Sequence, residues 1–390
     1  MRQAVAPPRM DIEMRLNFAL ALFMTVAAGS PTVGAVSSIK DAVALNRALV
    51  SARGGETLAL RPGDFGILTI AGRRFAKPVV ITSADPSRPA TLSGLRLSSS
   101  AEIEFRNLEF SAPAAPAAAD LQTAGRENVF SVLSSDTISF VRISAHGPGD
   151  GTLATEKSGF LIRNSSHVMV RDSEFRHFHN AIGHLDDDHL TITGNWFHDL
   201  RDDGIRGGGS SFVTISRNRF DSMHPDADDV DHPDCIQFWT TNTKASAHDI
   251  VIVDNLYTRG SGRSVQGVFL GNEASIPYQT VTITGNIFAG TGYNGIVVKF
   301  VKGLVITNNV VARYPDQTSR IRVIQGLDVV VNDNRAAEFG WTDDGRVPES
   351  NSRIERRRNQ TIGAVGDQGR TLAAEWSTKA KPESLAGVER

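Results

Sequence analysis

Five segments of the chain share one pattern, and that repeat limits the possible folds more than any other feature. HLTITGNWF (189–197), FVTISRNRF (212–220), IVIVDNLY (250–257), TVTITGNIF (280–288) and GLVITNNVV (303–311) each carry a short β-branched strand, a polar turn, an Asn and an apolar residue. HVMVRDSEF (167–175) and LDVVVNDNR (327–335) are weaker copies. Asn195, Asn218, Asn255, Asn286 and Asn309 lie 23, 37, 31 and 23 residues apart, and Phe197, Phe220, Tyr257, Phe288 and Val311 follow two positions later. Such a period marks a solenoid, in which a coil buries its apolar face only against neighbouring coils.

A second strand follows a turn in each unit: AIGHL (181–185), GIRGG (204–208), CIQFW (235–239), GVFLG (267–271) and GIVVK (295–299). Short strands without intervening helical pattern exclude a doubly wound sheet and predict an all-β fold, a right-handed parallel β-helix solenoid of about ten coils stacked ~4.8 Å apart. Ile182, Ile205, Ile236, Val268 and Ile296 form one inward column, and Phe175, Phe197, Phe220, Tyr257 and Phe288 another. At about 1.5–3 kcal/mol per buried large side chain, these columns outweigh any single polar contact. The Asn residues predict a hydrogen-bonded ladder between coils.

The exposed ends of such an array need covers. Residues 38–50, SIKDAVALNRALV, read as an amphipathic cap helix with Ala42, Val43, Leu45, Ala48 and Leu49 on one face. The expected organisation is a signal peptide over 1–35, a helical cap and first coil over 36–65, the β-helix over 66–340, and a polar extension or cap over 341–390. The Ala/Pro-rich stretch 112–120 reads as a surface excursion. In the leader, Arg15 precedes a largely apolar run, Leu16 to Ala28, and the small-residue signal Val33-Gly34-Ala35, with Met14 as the start. That run is shorter than the roughly 20 residues of a membrane span, so a secreted or periplasmic monomer with no membrane span is expected. The single cysteine, Cys235, allows no internal disulfide and reads as a small buried hydrophobe. A net charge of −2 with no basic block disfavours a nucleic-acid partner.

Side chains alternate faces along a strand, so the residues beside the inward Ile column point outward. One position on come Gly183, Arg206, Gln237, Phe269 and Val297, and three positions on come Leu185, Gly208, Trp239, Gly271 and Lys299. Arg206 offers a planar partner for a carboxylate, Gln237, Trp239 and Phe269 a sugar-binding surface, and the glycines leave space. Packing of Trp239 and Phe269 beneath a surface loop is the alternative. Residues 221–234, DSMHPDADDVDHPD, hold six Asp and two His without Lys or Arg. Such charge density suits a solvated loop, direct catalytic carboxylates or a calcium ion, which takes six to eight oxygen ligands. Asp203, Asp229, Asp231 and Asp234 are the calcium candidates, with Asp203 and Asp234 both two positions before the inward Ile.

The cap, the GNWF-like strands and the coil lengths over roughly 38–335 resemble the secreted right-handed parallel β-helix (pectate-lyase-like) superfamily. The opening coils, GGETLALRPGDFGILTI and KPVVITSADPSRPATLSG, are similar to its alginate lyase and chondroitinase B branch. The resemblance implies an exported polysaccharide lyase, a uronate C5-epimerase, a polygalacturonase-like hydrolase or a noncatalytic glycan binder, with an acidic polysaccharide as partner. β-Elimination on a uronate needs a cation for the carboxylate, a base for the C5 proton and a proton for the leaving oxygen. Arg206 fits the first need and His232 or Lys299 the second. Asp231-His232-Pro233-Asp234 shares residue types with the Asp-Pro-His-Asp string of mannuronan epimerases, with the middle pair reversed. The chondroitinase B arrangement, a catalytic Lys and Arg close together beside calcium, is not reproduced, because Lys299 and Arg206 fall on separate coils.

Overall fold

The computed structural model describes residues 36–115, 127–151, 156–226, 232–243, 245–340 and 352–379. The leader therefore lies outside the described residues, as do Asp229 and Asp231. The central coils of the solenoid contribute three strands in fixed order, as in Ser158–Arg163, Ser166–Arg171 and Glu174–Arg176, before a corner leads to Ile182–Leu185 on the next. In later coils the first two merge into one strand, as in Ile296–Thr307 and Arg320–Asn332. Every ladder of this body is parallel, and the short third strands alone form a 12-stranded sheet. The array is thus longer than the ten coils anticipated, because coils lacking the Asn signature extend its N-terminal end and a further coil, bearing Asn359, extends the other.

Both inward columns stack in register. Ile182 pairs with Ile205, Ile205 with Ile236, Ile236 with Val268 and Val268 with Ile296. Phe175, Phe197 and Phe220 lie on consecutive third strands with ring centroids 5.0 and 4.9 Å apart and nearly parallel planes. All of these side chains are fully buried.

The turn before each third strand explains the repeated Asn. Asp172, Gly194, Arg217, Asp254, Gly285, Asn308 and Asp333 adopt positive φ there, the region where Gly, Asn and Asp are least strained. A side chain at Gly285 would also meet Asp254 Oδ1 at 2.2 Å. The next residue joins the ladder. Asn195, Asn218, Asn255, Asn286 and Asn309 each donate through the backbone N–H and Nδ2 to Oδ1 of the following Asn at 2.9–3.0 Å. Buried turn amides are thereby satisfied at each of these coils.

Helix Ala42–Ser51 begins at Asp41, whose side chain accepts a 2.8 Å bond from the Ala44 N–H, a standard N-cap. It buries Leu45 and Leu49 over the first coil, but Val43, expected on the same face, is 67% exposed. Two residues along a helix span some 200°, so Val43 cannot share the Leu45–Leu49 stripe. At the other end the solenoid runs past 340: Ser352–Arg357 and Gln360–Thr361 pair with Arg320–Asn332 and Arg335–Ala336. Only Ile354 of RIERRRNQ packs toward the core, which hid this coil among charges. A second helix, Arg370–Lys379, then lays Leu372 and Trp376 over Leu256, Ile287 and Val310. Cys235 is buried. Among the described residues no helix is long and apolar enough to cross a membrane.

Candidate functional site

The first strands of four consecutive coils, beginning at Ile205, Asp234, Gln266 and Ile296, carry the outward residues singled out above. Arg206 pairs with Gln237, Gln237 with Phe269 and Phe269 with Val297, while Gly208 pairs with Trp239. Val297 is fully buried despite its outward register. The corner preceding these strands holds a second ladder, in which the Asp203 N–H donates to Asn180 Oδ1 at 3.1 Å and the Asp234 N–H to Asp203 Oδ1 at 2.8 Å. Asn294 Nδ2 donates to Gln266 Oε1 further along.

Arg206 is the hub. Its Nη1 donates to Asn180 Oδ1 at 3.0 Å and lies 3.3 Å from Asp203 Oδ2 and 3.5 Å from Asp202 Oδ2. Its guanidinium carbon stands 5.1 Å from the Trp239 ring centroid, a cation–π contact. The side chain remains one-third exposed, whereas Asp202, Asp203 and Asp234 are buried. Buried groups thus orient an accessible cation. Asn180 and His179, whose Nε2 is 3.9 Å from Asp202, are partners the sequence reading did not assign. Asn180 shares the corner register with Asp203, which was the available signal.

Asp234 is fully buried; Gln237 Nε2 donates to its Oδ2 at 2.8 Å, and Oδ1 has no hydrogen-bond partner. Burial, reinforced by Asp203 on the coil below, pushes its pKa well above the usual carboxylate range. His232 reaches from the adjoining loop, with Nδ1 3.7 Å from Asp234 Oδ2 and its ring edge-on to Phe269 at 5.5 Å, and is itself 55% exposed.

Lys299 falls elsewhere. Its Nζ lies 4.8 Å from the Phe269 ring centroid, on a coil three register steps from Arg206, or about 14 Å at ~4.8 Å per step. A base must reach the carbon bearing the carboxylate that Arg206 would hold, and of the two candidates His232 belongs to the nearer coil, one step from Arg206.

Of the calcium candidates, Asp203 and Asp234 lie adjacent, but a backbone amide, Arg206 and Gln237 already occupy three of their four oxygens. Among the described residues no group of three or more His, Cys, Asp or Glu is arranged to hold a metal ion. These two carboxylates alone do not make a calcium site.

A family model described as a right-handed β-helix region matches residues 158–230. The A-module of a mannuronan C-5 epimerase from Azotobacter vinelandii superposes with a TM-score of 0.58 at 14% identity, covering 86% of this chain and 93% of that one. A GH136 lacto-N-biosidase from Eubacterium ramulus gives 0.52 at 12% identity over 84% and 68% of the two chains. The Streptococcus pneumoniae surface adhesin PfbA gives 0.51 at 14% identity over 82% and 85%. No curated protein matches the sequence. At these identities the likeness establishes the fold, which hosts unrelated activities.

Proposed function

Since the chain is a right-handed parallel β-helix, we propose that it is an exported polysaccharide lyase cleaving a uronic-acid-containing polymer by β-elimination on the outer face around Arg206 and His232. The observation that carries this reading is an accessible guanidinium, held by buried Asp202, Asp203 and Asn180, with an exposed imidazole one coil away. Arg206 pairs the uronate carboxylate and stabilises charge developing at C5. His232 takes the C5 proton; the resulting electron pair forms the C4–C5 double bond as the C4–O bond breaks, and the leaving oxygen takes a proton from the imidazolium so formed, which returns His232 to its neutral state. Trp239 and Phe269 flank the sugar, and Gln237 supplies a hydrogen-bond donor or acceptor.

A hydrolase would need carboxyl groups that touch the glycosidic oxygen and a water. Asp202, Asp203 and Asp234 are at most 5% exposed, which favours a supporting role. A C5-epimerase shares the first proton abstraction and differs in returning the proton to the opposite face. A noncatalytic binder would keep the surface without turnover. Calcium binding is proposed for the acidic loop, with Asp229 and Asp231 as its principal ligands, and no step above depends on it.

The test is a panel of alginate, pectate and glycosaminoglycan polymers assayed for unsaturated product near 235 nm and for solvent deuterium incorporation at C5. A lyase yields the first signal; exchange without it identifies an epimerase, and new reducing ends without either a hydrolase. Arg206→Ala and His232→Ala should each lower kcat/KM by about 10²–10⁴-fold. Full activity in both variants would remove the site from this face.

A further inference from the structure

A second pairing of cation and aromatic ring lies three coils from Arg206 on the same outer face. Tyr293 occupies the corner just before strand Ile296–Thr307 and is one of few large hydrophobic side chains left in solvent, 53% exposed. Its ring is backed: the Arg320 guanidinium carbon lies over it, 3.7 Å from the centroid. Arg320 is only 15% exposed and stands 3.4 Å from Glu338, so the cation beneath the ring is anchored. Lys299 ends the first-strand segment of the same coil, with Nζ over Phe269, and among the described residues no carboxylate neutralises it. The next corner residue, Asn294, keeps a buried Oδ1 without a partner.

Arg206 with Trp239 and Arg320 with Tyr293 are built alike, each ring held by a guanidinium from a neighbouring coil. Trp239 and Tyr293 lie two register steps of about 4.8 Å apart, and the coil rise is close to the length of one sugar residue in a linear polymer. A chain following the coils thus meets the two rings about two residues apart.

We infer that Tyr293, Lys299 and Arg320 form a distal subsite for an acidic oligosaccharide, an inference that rests on the uronate reading of the Arg206 site. The sugar ring lies on the open face of Tyr293, as apolar C–H faces do on aromatic rings, and the carboxylate of the neighbouring sugar, over Phe269, meets Lys299. Lys299 then acts as a polymer anchor, and the preferred ligand is an oligouronate of at least three residues, long enough to span both subsites.

Isothermal titration with oligouronate dimers and hexamers tests this. The native protein should bind the hexamer about tenfold more tightly than the dimer, the equivalent of one well-formed additional contact set. Tyr293→Ala and Lys299→Gln should each bring that ratio toward one, while Tyr293→Phe restores it, showing that the ring and not a folding defect is responsible. A ratio unchanged in Tyr293→Ala and Lys299→Gln overturns the distal subsite and leaves the Arg206 site standing. Equal length preference for a neutral hexasaccharide overturns the role of Lys299. A native protein that binds neither oligouronate overturns the acidic-polymer reading and this subsite together.

Discussion

Replacing Asn255 by alanine tests whether the Asn ladder stabilises the stack or merely accompanies it. Asn255 is fully buried in mid-array. Its Oδ1 accepts from both the backbone N–H and Nδ2 of Asn218 at 3.0 Å, and its Nδ2 donates to the Ile215 carbonyl and Asn286 Oδ1 at 2.9 Å. Truncation removes four bonds, but not all partners are stranded. Asn218 Nδ2 keeps the Ile192 carbonyl, and Asn286 Oδ1 keeps the Asn255 backbone N–H. The Asn218 N–H and the side-chain contact to Ile215 O are lost outright. At about 1–3 kcal/mol for each buried group left unsatisfied, the expected destabilisation is roughly 2–5 kcal/mol. Asn255→Asp should cost at least as much at neutral pH, because its second oxygen would face the Ile215 carbonyl and Asn286 Oδ1. Asn359, half-buried at the end of the ladder, provides the comparison: it accepts from the Asn334 N–H and Nδ2, but among the described residues no further ladder Asn lies beyond it and water reaches its open side, so Asn359→Ala should cost less than Asn255→Ala. Urea unfolding followed by circular dichroism reads all three variants, compared by midpoint because a solenoid need not unfold in two states. If Asn255→Ala and Asn359→Ala shift the midpoint equally, or Asn255→Ala does not shift it, burial of the ladder is not what makes it matter.

Ile236→Asp should abolish soluble folding, since it places an unpaired charge between Ile205 and Val268; recovery of a normally folded variant would show the inward register to be wrong. Glu156 is buried with Oε2 unpaired, and burial raises its pKa from 4.5 to about 8. The folded state therefore holds a proton that the unfolded chain releases between these values, and this stabilising contribution falls as pH rises through that window. Glu156→Gln should flatten the loss of stability measured between pH 6 and 8; an unchanged profile would mean that Glu156 is ionised in the folded protein. Calcium titration by calorimetry should give heat that disappears when Asp229, Asp231 and Asp234 are changed together to Asn, and an absence of heat at millimolar calcium would count the loop as merely solvated.

The inward architecture was legible because it answers to a local rule: each coil must present an apolar residue at the same step of its own strands, so Ile236 and Phe220 declare themselves by period alone. The Asn ladder was legible for the same reason. The coil at 352–361 escaped because Ile354 and the ladder residue Asn359 stand among arginines, and strand pairing to Arg320–Asn332 is what makes it a coil. Outward residues obey no such repeat. Their neighbours depend on how loops of unequal length return the chain to the stack, which is why sequence register could align Arg206 with Gln237 but could not say that Arg206 rests on Trp239 while three buried groups hold it. Only the stacked structure sets the Lys299 Nζ over Phe269, brings His232 edge-on to the same ring, and sets Tyr293 on Arg320, because those contacts join different coils through space and cost nothing that a single coil's sequence must record.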